Sequence, residues 1–520
     1  MIAMRKALAE LEQHTLTVSI VLSAIGALIL VFLARYIDFH PDESIYYEAI
    51  PVSLRKDAGL FYNLYYSAFI DHIGGVTGAR IASAFLGGGT LFFILLSVRK
   101  LGASIFWLGL ISLVFILSYQ AIFVFDRVRP EAAWWFLSSA MVYGLISIEK
   151  NVRWQSITFV VVIALLLPMN HQLSWFSCAF SAGYILMFTR LQVGIWSALL
   201  LTGALVSGAL LNVAIRAVMI SHDLGAAFHT ILGSAGGGSL QNLSDYFHLV
   251  FVGSSIFLND TAVYPNLYQV IGLEGSWVSH AFVQALFWLL MFILPFAAQN
   301  WRARYAVSFP LFAFLAFYLT GYYNPTYSAG FSLFAILAAI FLAVNGTIAM
   351  RKVVIGLCMI SMLNGVSFLS TRVLNHGAAS FFIVEQALSD LLDELPMVEK
   401  VALPERFLSL HIDRDFTVFS NFKNRLPEDL DLLIYDDYDH HMYHFVPDFK
   451  KVADEIIERA ENMCLYKQFD YPVYLDDKLF PPLTRQEDSY KSNSQPGSWF
   501  FRNSVNYTIY VFQRCTQQDK

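Results

Sequence analysis

Two short charged stretches stand out against a long apolar background. His40-Pro41-Asp42-Glu43-Ser44-Ile45-Tyr46-Tyr47-Glu48 follows directly after the apolar run Leu16 to Ala34. A carboxylate pair at the end of a membrane-length run is costly unless it has a partner or a task. The task within reach is general-base work, taking a proton from a nucleophile, which is worth roughly 10²–10⁴ in rate. The structural alternative is a hydrated loop pair, or a cap for a helix starting near Ser44. Asp126-Arg127-Val128-Arg129-Pro130-Glu131 is the second stretch. Arg127 and Arg129 suit a phosphate, which a guanidinium grips through two parallel hydrogen bonds. They equally suit an internal ion-pair network with Asp126 and Glu131. His171 stands between Asn170 and Gln172, where it could orient a substrate or serve as a hydrogen-bonded structural residue.

Other candidates are weaker. Asp436-Asp437-Tyr438-Asp439-His440-His441-Met442-Tyr443-His444 has the density of a metal site but no standard ligand spacing. No resident metal or cofactor is expected; a divalent ion is possible but not required. Gly233 to Ser239 is glycine-rich, yet it lacks the Gly-Lys-Ser/Thr ending of a nucleotide-phosphate loop and reads as a hinge. No basic stripe suggests nucleic acid.

The elements that position these residues are membrane helices. The 520 residues are 57% hydrophobic and only 14% charged, against about 25% charged in soluble domains. Eleven spans are expected: Leu16–Ala34, Ile81–Val98, Leu101–Phe125, Ala132–Ile148, Trp154–Met169, Leu173–Phe188, Val193–Ala214, Val278–Ala298, Tyr305–Leu319, Ser328–Val344 and Val353–Leu369. With the N-terminus inside, 11 of the 18 basic residues before residue 371 fall in cytoplasmic segments, beside only three acids. That obeys the positive-inside rule at every loop; merging the fifth and sixth spans would break it. The acidic pair, the Arg127–Glu131 stretch, His171 and Tyr322-Tyr323-Asn324-Pro325 then share the outer face. Tyr46, Tyr47, Phe61, Tyr62, Tyr65 and Tyr66 suit interfacial helices in the first outer loop.

From Thr371 onward the balance reverses to 16 basic and 25 acidic residues. Residues 1–370 thus read as a transmembrane domain and 371–520 as a soluble α/β domain on the outer face. Strands are expected at Val398–Leu403, Phe416–Phe419, Leu430–Tyr435 and Tyr507–Phe512, with a helix over Phe449 to Cys464. Cys464 and Cys515 could pair in an oxidising compartment.

Asp42-Glu43 after the first span, Gly78-Ala79-Arg80 opening the second and Arg127-Val128-Arg129-Pro130-Glu131 opening the fourth resemble the GT-C superfamily of polyprenyl-phosphate-sugar-dependent glycosyltransferases. The protein O-mannosyltransferases and the bacterial aminoarabinose transferases of lipid A are the most similar branches. The motifs cover residues 16–190, and the rest matches by layout. The resemblance implies a GT-C-like α-helical polytopic fold with a catalytic carboxylate at Asp42, assisted by Glu43. It implies a lipid-phosphate-sugar donor and an acceptor hydroxyl on a lipid, glycan or protein. Arg127 and Arg129 would hold the donor phosphate, with Glu131 and His171 on the substrate. Where the family has a basic residue at the outer end of a late span, this chain has Tyr323 and Asn324, which become substrate-binding candidates. A bacterial inner-membrane enzyme with a periplasmic tail is expected, carrying out an inverting transfer. The alternatives are a transporter or flippase of lipid-linked saccharide, or a non-catalytic assembly partner.

Overall fold

The computed structural model describes residues 14–34, 60–170, 174–218, 286, 289–319, 325–376, 381–395, 398–404, 407, 410, 417–420, 426–436, 455–472 and 506–515. The chain divides into two compact units. One comprises Met1–Phe32, Glu48–Ser254 and Ala281–Val366; the other comprises Leu33–Tyr47, Ser255–His280 and Ser367–Lys520.

The described elements of the first unit are all helices. Helix α1 (Thr15–Leu33) carries no charge. Helix α2 (Leu60–Ile73) is rich in aromatic residues and turns sharply into α3 (Gly75–Lys100) at Gly74, whose φ of +92° few side chains tolerate. The two helices then pack closely, because a Cβ on Gly78 would lie 2.8 Å from the Phe69 carbonyl oxygen. Next come α4 (Ile105–Leu117), α5 (Tyr119–Phe125) and α6 (Pro130–Lys150). Pro130 occupies the first turn of α6, where its missing N–H costs nothing. Helix α3 packs along α6. Beyond them lie α7 (Trp154–Leu166), α8 (Ser174–Tyr184), a π turn at Ile185–Thr189, α9 (Arg190–Val193) and α10 (Ile195–Arg216). The unit closes with α11 (Trp301–Val307), α12 (Phe309–Leu319), α13 (Pro325–Val344) and α14 (Ile348–His376), the last of which carries the chain into the second unit. Trp135 and Phe334 meet at 4.7 Å in its core, with Phe125 edge-on to Trp135 at 5.5 Å.

Among the described residues, three helices are long and apolar enough to cross a membrane: Thr15–Leu33, Gly75–Lys100 and Ile195–Ile215. Several expected boundaries move. The run Leu101–Phe125 is divided at Ser118, whose backbone is extended and whose hydroxyl accepts from the Ala121 N–H to start α5. The fifth and sixth runs are separate helices: Leu167–Met169 tightens into a 3₁₀ turn around Pro168, and α8 begins at Ser174. Helix α14 exceeds the expected Val353–Leu369 at both ends, because hydropathy marks only the apolar middle of a helix.

The second unit holds α15 (Phe381–Glu394), which buries Val384, Leu388, Leu391 and Leu392 at helical spacing. Five strands follow: β1 (Lys400–Leu403), β2 (Thr417–Ser420), β3 (Leu432–Asp436), β4 (Cys464–Pro472) and β5 (Asn506–Gln513). The sheet order is β2-β1-β3-β5-β4. Strands β1, β2 and β3 run parallel, and β5 is antiparallel to both β3 and β4. Ala402, Leu433, Tyr435 and Ile456 meet in its core. The expected helix over Phe449 to Cys464 is helical at 455–461 and gives way to β4 at Cys464. Cys464 and Cys515 form a disulfide.

Candidate active site

A group of buried polar and ionisable residues of the first unit meets where α2, α3 and the connection between α5 and α6 converge. Tyr62 and Tyr66 stand one turn apart on α2 with ring centroids 4.3 Å apart, and both are fully buried. The Tyr66 hydroxyl donates to the Arg129 carbonyl at 3.3 Å and lies 2.6 Å from Ser83 Oγ. A carbonyl can only accept, so Ser83 is left to donate to Tyr66. The neighbouring Tyr65 hydroxyl donates to the Ala82 carbonyl at 3.0 Å. Burial pushes both phenols above their ordinary pKa; they act as neutral hydrogen-bonding groups, not as phenolate bases. Arg80 sits three residues before Ser83 on α3 and is itself buried.

The connection 126–129 carries the rest. Asp126 caps the C-terminus of α5 and is fully buried. Arg127 Nε lies 3.7 Å from Asp126 Oδ1, and 11% of the Arg127 side chain remains exposed. Arg129 is extended at the N-cap of α6, which turns its side chain toward the first turn of that helix. There its Nε donates to Glu131 Oε2 at 3.4 Å and its Nη2 to Glu131 Oε1 at 3.2 Å. This is the forked geometry of a guanidinium on a carboxylate, and both side chains are buried. The Asn170 amide donates to the Pro130 carbonyl at 3.0 Å, tying the end of the 3₁₀ turn to the start of α6.

The structure therefore brings Arg127, Arg129 and Glu131 together and engages Arg129 with Glu131. Asp42, Glu43, His171, Tyr323 and Asn324 lie outside the described residues. Tyr66, Ser83 and Asn170 belong to the cluster without having been singled out as site residues. The available signals were the Tyr62–Tyr66 interval of four and the Arg80–Ser83 interval of three, both of which put residues on one helix face.

No family model matches the chain, and no curated protein matches it. In structure it is similar to the arabinofuranosyltransferase AftD from Mycobacteria, with 12% sequence identity and a TM-score of 0.48. The match covers 96% of this chain and 40% of that one, so this chain spans about two fifths of that protein's length. A likeness of this degree fixes neither an activity nor a residue role for this chain.

Proposed function

We propose that the chain is an integral-membrane glycosyltransferase of GT-C-like architecture. It moves a sugar from a polyprenyl-phosphate donor to a hydroxyl on a lipid, glycan or protein at the outer face of a bacterial inner membrane. The observation that carries this reading is the 126–131 connection, where Asp126, Arg129 and Glu131 are buried, Arg127 is nearly so, and the Tyr66 hydroxyl of α2 reaches the Arg129 carbonyl, at one end of largely uncharged helices. Such groups inside a membrane protein mark a binding or catalytic site by default.

The acceptor hydroxyl loses its proton to Asp42, and its oxygen attacks the anomeric carbon. The bond from that carbon to the phosphate oxygen breaks, and the electron pair leaves with the lipid phosphate. One direct displacement inverts the sugar. The leaving group departs as an anion, so it needs neutralisation more than protonation. Arg127, the more accessible arginine, contacts the phosphate. Arg129, anchored by Glu131, holds the 126–131 connection. Glu43, His171, Tyr323 and Asn324 complete the substrate shell. A polyprenyl chain leaves the bilayer at a cost of about 0.8 kcal/mol per CH₂, so the phosphate must be met at headgroup depth, by a cavity open to the outer leaflet. The tail then lies in the periplasm.

A transporter would place ionisable groups near mid-membrane between repeated halves. Here the described ionisable residues of the first unit gather toward helix ends. Transfer of labelled sugar from a polyprenyl phosphate by the purified full chain, with Asp42→Asn as control, tests the reading. Vesicle translocation of the lipid-linked sugar without any transfer would replace it with the transporter.

A further inference from the structure

A second site lies at the opposite end of α6. A cavity of about 480 Å³ runs between α3, α6, α8, residues 297–310 and α13, within the ~300–1,000 Å³ typical of ligand sites. Its lining includes Glu149, 20 positions along the chain from Arg129. At about 1.5 Å per helical residue that is roughly 30 Å away. Neither Arg127 nor Arg129 lines it.

Its shaft is apolar, walled by Trp135, Phe180, Phe309, Phe334 and Phe341. Five of the six serine and threonine hydroxyls along it, all but Ser181, are already paired. Ser138 and Ser177 pair at 3.0 Å, and the Trp134 indole donates to Ser177 at 2.9 Å. Ser97, Ser139 and Thr90 each donate to a backbone carbonyl of their own helix. A sugar or nucleotide would find little there to replace its water; a hydrocarbon chain would lose nothing.

The mouth is charged with both signs. Glu149 Oε1 accepts from the Tyr184 hydroxyl, while Glu149 Oε2 lies 3.7 Å from Arg302 Nη1. That is beyond hydrogen-bond length, and 33% of Arg302 and 16% of Glu149 remain exposed. The wall beside them is built closely. The π turn Ile185–Thr189 follows Tyr184 directly, and such turns recur at functional sites. The Tyr305 ring stacks on Phe180 at 4.4 Å, and its hydroxyl donates to the Phe180 carbonyl at 3.0 Å. Gly183 leaves the room that the Tyr305 hydroxyl fills.

We propose that this cavity binds a zwitterionic aminophospholipid of the leaflet facing Lys100, Lys150, Arg302 and Arg351. One acyl chain occupies the shaft, the ammonium sits on Glu149 and the phosphate sits on Arg302. The second chain stays in the bilayer. Complementarity selects the headgroup: an anionic phosphatidylglycerol can place its phosphate on Arg302 but brings no ammonium to Glu149. The inference rests on these helices lying in a membrane and not on the transferase reading.

The test uses the full-length chain in detergent, offered equal phosphatidylethanolamine and phosphatidylglycerol and read by native mass spectrometry. One phosphatidylethanolamine should be retained per chain, at about tenfold preference, the worth of one charge-assisted hydrogen bond. Glu149→Gln should remove the preference while still accepting from Tyr184. Ala338→Trp, which fills the shaft, should abolish retention. Retention of neither lipid, equal retention, a preference for phosphatidylglycerol, or retention untouched by Ala338→Trp in a folded chain would each overturn the proposal.

Discussion

Arg129 and Glu131 answer each other, and that pairing divides the roles of the two arginines. Removing one partner strands a buried charge, so Arg129→Ala or Glu131→Ala should each cost about 3–5 kcal/mol. The joint change Arg129→Met with Glu131→Leu should recover most of that loss. Thermal unfolding in detergent measures both; equal damage in the singles and the double would show that the pair is not the stabilising unit. Arg127 is partly exposed and should behave differently: Arg127→Ala raises the apparent KM for donor with little change in melting. Under the same reading, Asp42→Asn folds but loses at least about a hundredfold in transfer. A residual rate above a tenth of the parent would remove Asp42 as the base. The motif itself was legible from Arg127, Arg129 and Glu131. The ion-pair network with Asp126 and Glu131 was one of its two readings, and the Arg129–Glu131 pair bears it out; spacing alone could not decide between pairing and phosphate, because it is the extended N-cap backbone of Arg129 that brings residues two apart together.

At the scale of elements, backbone proximity decides where these side chains stand. Gly78→Ala would drive a Cβ against the Phe69 carbonyl, which cannot swing away. We expect a loss of about 1–3 kcal/mol as α2 shifts, weakening the Tyr66–Ser83–Arg129 contacts. Gly109→Ala on α4 is the contrasting case, since its Cβ meets nothing within 4 Å. It should be neutral or stabilising by up to about 1 kcal/mol, through helix propensity alone. Melting temperatures of the two variants that moved alike would refute this account. Hydropathy found most helices but missed the division at Ser118, because one capping hydroxyl is invisible in an otherwise continuous apolar run. Strand β4 was missed for the opposite reason. Its sequence, Cys-Leu-Tyr-Lys-Gln-Phe-Asp-Tyr-Pro, lacks clean alternation, and Leu465 and Tyr466 are both exposed.

For the whole molecule, the Cys464–Cys515 link joins the ends of a 51-residue interval across the β4–β5 pair. Replacing both cysteines by serine should cost about 2–5 kcal/mol, seen as faster proteolysis of the tail within the full-length chain. Mass spectrometry without reductant should find these two thiols joined; free thiols in correctly exported protein would refute the pairing. Its expectation came from compartment, since charge bias put the tail outside. What the sequence could not convey was the partner strand, because β5 lies far along the chain from β3, which it also pairs with.

The close docking of α2 on α3, and of α3 along α6, has a consequence for bilayer thickness. Gly78 holds α2 at backbone distance from α3, and helices so held cannot slide past one another to follow a thinner or thicker membrane. The lipid must deform instead, at a fraction of a kcal/mol per ångström. The depth of Arg80, Arg127 and Arg129 is then a property of the protein. Reconstitution in lipids of increasing chain length should leave their mutual geometry fixed, and under the proposed function any change in transfer rate would report how easily the lipid-linked donor reaches them.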